Sequence, residues 1–289
     1  MNKDLTLVFS SYQSQHLLNK ILIQFKNKYK IIIIENSTDI SIKKRLEKKF
    51  KNIDVIVPKN NLGLAKSYNL GIKKAKTKFV FLNNPDMKIT NQSVQNLILC
   101  AKKIKKFGAI SPIFKNEKMY KNYKIFSKKK KYKSKLFKKF EIIEVDLLDN
   151  NLLINKRIVK NNLFDENFFL FFETFDFTKN LKKKGKKLFA IKKIKFNHMG
   201  ASSLPPRFDN LVKKTRAFHY NWSKFYYLRK NFNYFHAMRK IFPNIIRALK
   251  KIIINFLKFD FKNIKLNILE LFGIFSAIFL LKSFHRPKN

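Results

Sequence analysis

The run Ile31-Ile32-Ile33-Ile34-Glu35-Asn36-Ser37-Thr38-Asp39 decides the fold, because four isoleucines in succession give way at once to five polar residues. An unbroken apolar, β-branched run is what a parallel strand shows when helices cover both of its faces. Polar residues directly after such a strand belong to the carboxyl edge, where open α/β sheets bind their ligands. The same order repeats on either side. Residues 5–10 form a short apolar strand ending in Ser10-Ser11-Tyr12-Gln13-Ser14, and Leu17, Leu18, Ile21, Leu22 and Phe25 then recur at helical spacing. A charged helix is predicted over 41–51, a strand over 53–57, a helix over 64–76 and a strand over 79–82 that runs into Asn83-Asn84-Pro85-Asp86. Val94, Leu97, Ile98, Ala101 and Ile104 make another helical stripe. This alternation predicts an α/β fold, a mostly parallel sheet flanked by helices and joined by right-handed crossovers.

Residues 107–140 read as a basic, solvated loop that includes four lysines at 128–131. Strand-like segments follow at 142–148 and 151–154. The aromatic and acidic stretch 164–176 then enters a helix ending near Gly185, and a strand over 187–194 leads to Asn197-His198-Met199-Gly200. Pro205-Pro206 marks a boundary, which divides the chain into a sheet-bearing part, 1–204, and a helical, basic and aromatic extension, 205–289.

Composition narrows the classes. Of 289 residues, 64 are Lys or Arg and 18 are Asp or Glu, a net charge of +46, yet 45% are hydrophobic, which excludes a disordered basic tail. Only 8 of the basic residues are Arg, and the chain has 31 Asn but 6 Gly, the drift expected of an A/T-rich coding sequence. The single cysteine, Cys100, excludes a disulfide scaffold and a thiolate-only zinc site. Neither G-x-G-x-x-G nor a P-loop occurs, so a dinucleotide or P-loop nucleotide site is not supported. The N-terminus has no signal-peptide pattern, so a cytoplasmic start is expected.

Chemistry-bearing residues gather at the predicted strand ends. Asp86 follows a buried strand and a proline; it either holds a hard cation together with substrate phosphates or caps a turn. Glu173 and Asp176, three apart at a helix start, share one face and serve either catalysis or dipole compensation. His198 follows the last strand, as a ligand or as a hydrogen-bonded structural residue. Gly63 sits at a turn entering a helix, with Asn61 before it and Asn69 beyond it.

The set resembles the family 2 glycosyltransferases of the GT-A fold, particularly the rhamnosyltransferase-like branch. The stretches SSYQS, ENSTD, NNLGLAKSYNLGI, FLNNPD, FDENFFLFFETFD and NHMGASS stand in the family's order over residues 5–203. The resemblance implies a nucleoside-diphosphate sugar donor held near Ser11, Tyr12, Glu35, Asn36, Asn61, Gly63, Asn69 and Asn84. It implies a divalent metal, Mn²⁺ or Mg²⁺, on Asp86 with His198 completing its shell. Glu173 is implied as the catalytic base, alone or shared with Asp176. Asn84 stands where many relatives have the first Asp of a DXD motif, Thr174 replaces a second adjacent carboxylate, and Glu35 replaces a more usual Asp.

In the extension, Ile245, Ile246, Leu249, Ile252, Ile253 and Phe256 form a helical stripe, and 18 basic residues face 3 acidic ones after Pro205. Such a helix either lies in an anionic membrane interface or packs on the rest of the protein. The uncharged run 271–281 is 11 residues long, short of the roughly 20 that a spanning helix needs. The expected partners are therefore a sugar donor, a glycan or lipid-linked acceptor and the inner face of the cytoplasmic membrane. Interleaved basic and aromatic residues also suit single-stranded nucleic acid, but that alternative leaves Asp86, Glu173 and His198 without a task, and no nucleic acid is expected.

Overall fold

The computed structural model describes residues 1–104, 106–117, 120–127, 132, 134–198 and 205–286. The lysine run 128–131 and positions 199–203 of the last family-like stretch lie outside the described residues. The first third alternates as β1 (Asn2–Ser11), α1 (Gln15–Phe25), β2 (Tyr29–Glu35), α2 (Ile40–Lys49), β3 (Ile53–Ile56), α3 (Gly63–Lys74), β4 (Phe79–Asn83), β5 (Met87–Lys88) and α4 (Asn91–Lys103). The middle holds β6 (Ala109–Phe114), β7 (Tyr123–Lys124), α5 (Lys135–Phe140), β8 (Ile142–Val145), β9 (Leu147–Leu148), β10 (Leu153–Asn155), α6 (Lys156–Val159), α7 (Glu173–Lys183) and β11 (Leu188–His198). Three long helices follow, α8 (Asp209–Asn231), α9 (Tyr234–Leu257) and α10 (Phe261–Ile278).

The main sheet has the order β3-β2-β1-β4-β10-β6-β11-β5, with β8 also on β11. The half β3-β2-β1-β4 is wholly parallel, as the isoleucine run requires, and Ile31 to Ile34 are all buried. β10 enters antiparallel between β4 and β6, while β6 and β11 are parallel. The fold is thus α/β, a Rossmann-like, mostly parallel sheet flanked by helices, with a C-terminal helical extension.

The expected solvated loop over 107–140 is corrected by β6 and α5. Ala109, Ile110 and Ile113 are buried in the sheet, and Phe140 closes α5 against the core. The lysines that dominate the segment's composition hid a six-residue apolar strand. Helix starts obey local chemistry: Asp39 accepts from the Ser41 N–H ahead of α2, and Thr90 accepts from the Ser93 N–H ahead of α4.

The chain divides into two compact units. The first comprises 1–62, 66–164 and 177–205 and holds the sheet; the second comprises 63–65, 165–176 and 206–289. In the second, α8, α9 and α10 enclose Phe218, Trp222, Phe225, Ala237, Ile241, Ile274 and Ala277. Gly273 permits α10 to lie directly on α8, since a Cβ there would fall 2.2 Å from the Phe218 carbonyl oxygen. The outer side of α9 stays uncovered: Phe235, Phe242, Ile246, Leu249, Ile253 and Phe256 are exposed. The turn into α10 continues it, with Leu257 72% and Phe259 78% exposed. Among the described residues, no helix is long and apolar enough to cross a membrane.

Candidate active site

Strand order points to a candidate ligand crevice in the first unit. From β1 the chain builds outward to β2 and β3, then returns to place β4 on the other side of β1. The carboxyl ends of β1 and β4 therefore flank the topological switch point, where such sheets open a ligand crevice. Ser10 and Ser11 end β1, and Asn83 ends β4 just before Asn84, Pro85 and Asp86.

Glu35, fully buried at the end of β2, organises the β1 side. Its carboxylate accepts from the Ser11 hydroxyl at 2.6 Å, the Gln13 N–H at 3.0 Å and the Ser37 N–H at 3.1 Å. Burial, and then the charge of Glu35, raise the pKa of the half-buried Tyr12 phenol above its usual value. Asn36 is a second knot. Its amide donates to the Ser11 carbonyl at 3.2 Å and the Ser67 hydroxyl at 3.0 Å, and its oxygen accepts from the Leu62 N–H at 3.1 Å. Half-buried Asn61 precedes that N–H in the chain.

On the β4 side, the Tyr68 hydroxyl donates to Asn84 Oδ1 at 2.8 Å, which fixes the turn before buried Asp86. β5 begins directly after Asp86 and pairs with the end of β11, so the backbone of His198 lies opposite Met87, one residue beyond Asp86. The sheet thus brings together two positions 112 apart in the chain. Asn69 lies deeper, its amide exchanging two 2.9 Å hydrogen bonds with the backbone of Phe164.

The second unit holds the remaining carboxylates. Glu173 is buried at the first position of α7, and the Thr174 hydroxyl donates to it at 3.2 Å. Phe171 and Phe172 just before it have φ of 70° and 63°, the left-handed region that bulky residues avoid. The backbone is held there by packing of Phe172 against Tyr220 and Tyr227, with ring centroids 5.7 and 5.6 Å away, and by the Ser223 hydroxyl donating to the Leu170 carbonyl at 2.7 Å. Gly63 belongs to the same unit with φ +72°; a Cβ there would meet Phe169 at 2.5 Å, so only glycine fits. Asp176 differs from Glu173. It accepts from Lys230 at 2.6 Å and Asn231 at 2.8 Å, and Lys230 also reaches Asp165 at 2.7 Å.

The sequence model described as Glycosyl transferase family 2 matches residues 13–163, just over half of the chain. The chain belongs to glycosyl transferase family 2. A search of curated sequences gives no significant match. Among solved structures, the chain is similar to the mannosyltransferase PcManGT from Pyrobaculum calidifontis in complex with GDP-Man and Mn²⁺, with a TM-score of 0.56, 10% identity and coverage of 96% of this chain and 88% of that one. It is also similar to GalNAc-T7 with UDP, GalNAc and Mn²⁺ (TM-score 0.52, 12% identity, 78% of this chain and 50% of that one) and to S. aureus TarS 1-349 in complex with UDP (0.50, 14%, 95% and 90%). At such identities the likeness shows the shared GT-A fold.

For a family 2 enzyme the question is whether a cation fits. Among the described residues, no three His, Cys, Asp or Glu groups cluster to hold one unaided. Asp86 nevertheless supplies a buried carboxylate, and Asn83 Oδ1 is buried with no hydrogen-bond donor. Hard oxygens of this kind suit a Mg²⁺- or Mn²⁺-like ion that takes its other ligands from a diphosphate and water. The residues therefore fit an ion that arrives with its substrate. Family motifs pointed to most of these side chains; Tyr68, Lys230 and Asn231 were not legible, because their partners lie 16 to 65 residues away.

Proposed function

We propose that the chain is an inverting, metal-dependent hexosyltransferase, of the rhamnosyltransferase-like branch, that moves a sugar from a nucleoside-diphosphate donor to a lipid-linked or cell-surface polysaccharide acceptor. The observation that carries this reading is the β1–β4 switch point, with the Ser11–Glu35 pair on one side and Asp86 and the His198 backbone on the other. The Mn²⁺ and nucleotides in the structures of PcManGT and GalNAc-T7 support the same donor class.

In this proposal Ser11, Tyr12 and Glu35 line the nucleoside, while Asn36, Asn61, Gly63, Asn69 and Asn84 shape the loops around it. Asp86 holds the cation, with His198 as a second ligand. When bound, Mn²⁺ or Mg²⁺ neutralises charge on the diphosphate as it departs. Glu173 accepts the proton of the acceptor hydroxyl as that oxygen bonds to the anomeric carbon and the bond to the diphosphate breaks on the opposite face, so the configuration inverts. Asp176, held by Lys230, positions the start of α7.

Residues 1–204 would be the catalytic part and 205–289 an extension that rests on the cytoplasmic face of the membrane. Helix α9 has five basic and no acidic residues beside its exposed apolar stripe. A second copy would set like charges together, whereas anionic lipid complements them. Release of nucleoside diphosphate from UDP-, dTDP- and GDP-sugars, with Mn²⁺, Mg²⁺ or EDTA, tests the reaction, and NMR of the product's anomeric proton tests inversion. A product that retains the donor's configuration, or turnover unaffected by EDTA, counts against the mechanism.

A further inference from the structure

The second unit contains a cavity of about 430 Å³ whose lining includes Phe171, Arg216, Tyr220, Asn221, Arg247 and Glu270. Its walls come from α8, α9, α10 and the turn before Glu173. One carboxylate organises it. Glu270 Oε1 accepts from Arg247 at 2.6 Å and from Asn221 at 2.7 Å, and Asn221 in turn accepts from Asn244 at 2.5 Å. Arg247 is thereby fixed, its charge matched by Glu270. Arg216 has no carboxylate partner among the described residues. Two guanidinium groups thus line the cavity against one carboxylate.

We infer that this cavity binds a phosphate or diphosphate group, gripped by Arg216 and Arg247. Guanidinium forks match phosphate oxygens in pairs, and a preformed Arg–Glu contact spares the cost of ordering one of them. The source of the group rests on the proposed function, under which it belongs to a lipid-linked acceptor.

Titration calorimetry of the full chain with inorganic diphosphate, in EDTA so that cation-dependent donor binding is silent, tests the site. Binding that Arg216→Gln weakens about 10-fold or more, while Asp86→Asn and the surface change Lys66→Gln leave it within twofold, is the expected result. Absence of binding, equal affinity in Arg216→Gln, or an equal loss in Lys66→Gln overturns the site in favour of none or of diffuse charge attraction. Arg216 is exposed, so its replacement spares the helix packing, and matched melting temperatures verify that. Three further titrants separate the sources: a short-chain polyprenyl phosphate, dihexanoyl phosphatidic acid and inorganic phosphate. Preference for the first assigns a lipid-linked acceptor, for the second a membrane headgroup, and parity a free anion; each supports the site when it depends on Arg216. Arg216-dependent binding by a chain that turns over no nucleotide sugar would sink the glycosyl-transfer proposal and keep this one.

Discussion

Asp86 and Glu173 are both buried carboxylates with different neighbours, and the proposal gives them different work. Asp86 sits on a turn pinned by Tyr68, just before β5 and itself outside the paired strand residues. Asp86→Asn is therefore expected to fold normally and to lose Mn²⁺-dependent binding of a nucleoside diphosphate; calorimetry with an unchanged affinity would reject the cation assignment. Glu173→Gln should keep donor affinity and lose turnover by about 10² to 10⁴-fold, the usual worth of a general base. Asp176 is occupied by Lys230 and Asn231, so Asp176→Asn should lower the melting temperature more than Glu173→Gln does and turnover less. Single-turnover rates at matched donor occupancy decide between the two carboxylates.

At the scale of elements, the Lys230 link shows how α8 fixes the segment that begins α7. Burial alone would lower the pKa of Lys230, but its hydrogen bonds to Asp165 and Asp176 outweigh that and raise it. Burial alone would raise the pKa of Asp165, and the hydrogen bond from Lys230 leads the effects that lower it instead. A raised lysine stabilises fully below its unfolded value and loses this as pH rises through the folded one. A lowered carboxylate stabilises above its unfolded value and loses this as pH falls through the folded one. Lys230→Met should thus destabilise the protein near neutral pH by about 1 to 3 kcal/mol, between the exposed and buried limits, since the Lys230 side chain is 37% exposed. Denaturation series should show that gap narrowing below about pH 4, as Asp165 protonates. Such links also mark where the sequence stops being legible. The parallel strands announce themselves through IIII and FVFL, and the site through polar residues at their ends. The strand-like reading of 151–154 meets β10, but three residues cannot announce its antiparallel place between β4 and β6, and β6 is masked by surrounding lysines. The pairing of Asp176 with Lys230, 54 residues away, leaves no local trace.

For the molecule as a whole, the net charge of +46 and the bare face of α9 bear together on the proposed membrane contact. Electrostatic attraction to anionic lipid weakens as the screening length falls from about 8 Å at physiological salt to about 3 Å at 1 M, while inserted apolar side chains keep their gain. Vesicles containing anionic lipid should therefore bind the full chain and release only part of it at high salt. Phe256→Ser with Phe259→Ser should make release nearly complete, and both residues are exposed, so the fold should tolerate the change. Unaltered retention of that variant would show that the α9 turn does not enter lipid.

Strand β11 carries one more consequence. It pairs with β6 from Leu188 to Ile191, then again at Lys195 and Phe196, while β6 advances only from Pro112 to Ile113. Residues 192–194 are thus a looped-out measure of chain, and what they measure is the distance to the strand pair that sets His198 opposite Met87. Strand faces alternate with every residue, so a gain or loss of one residue here would turn the end of the strand over. Lys192 and Lys193 should accept changes of kind, Ile194 is held by the core, and the segment should refuse changes of length. In a library scored for nucleotide-sugar turnover, substitutions at Lys192 and Lys193 are expected to survive, and deletion of either lysine is not.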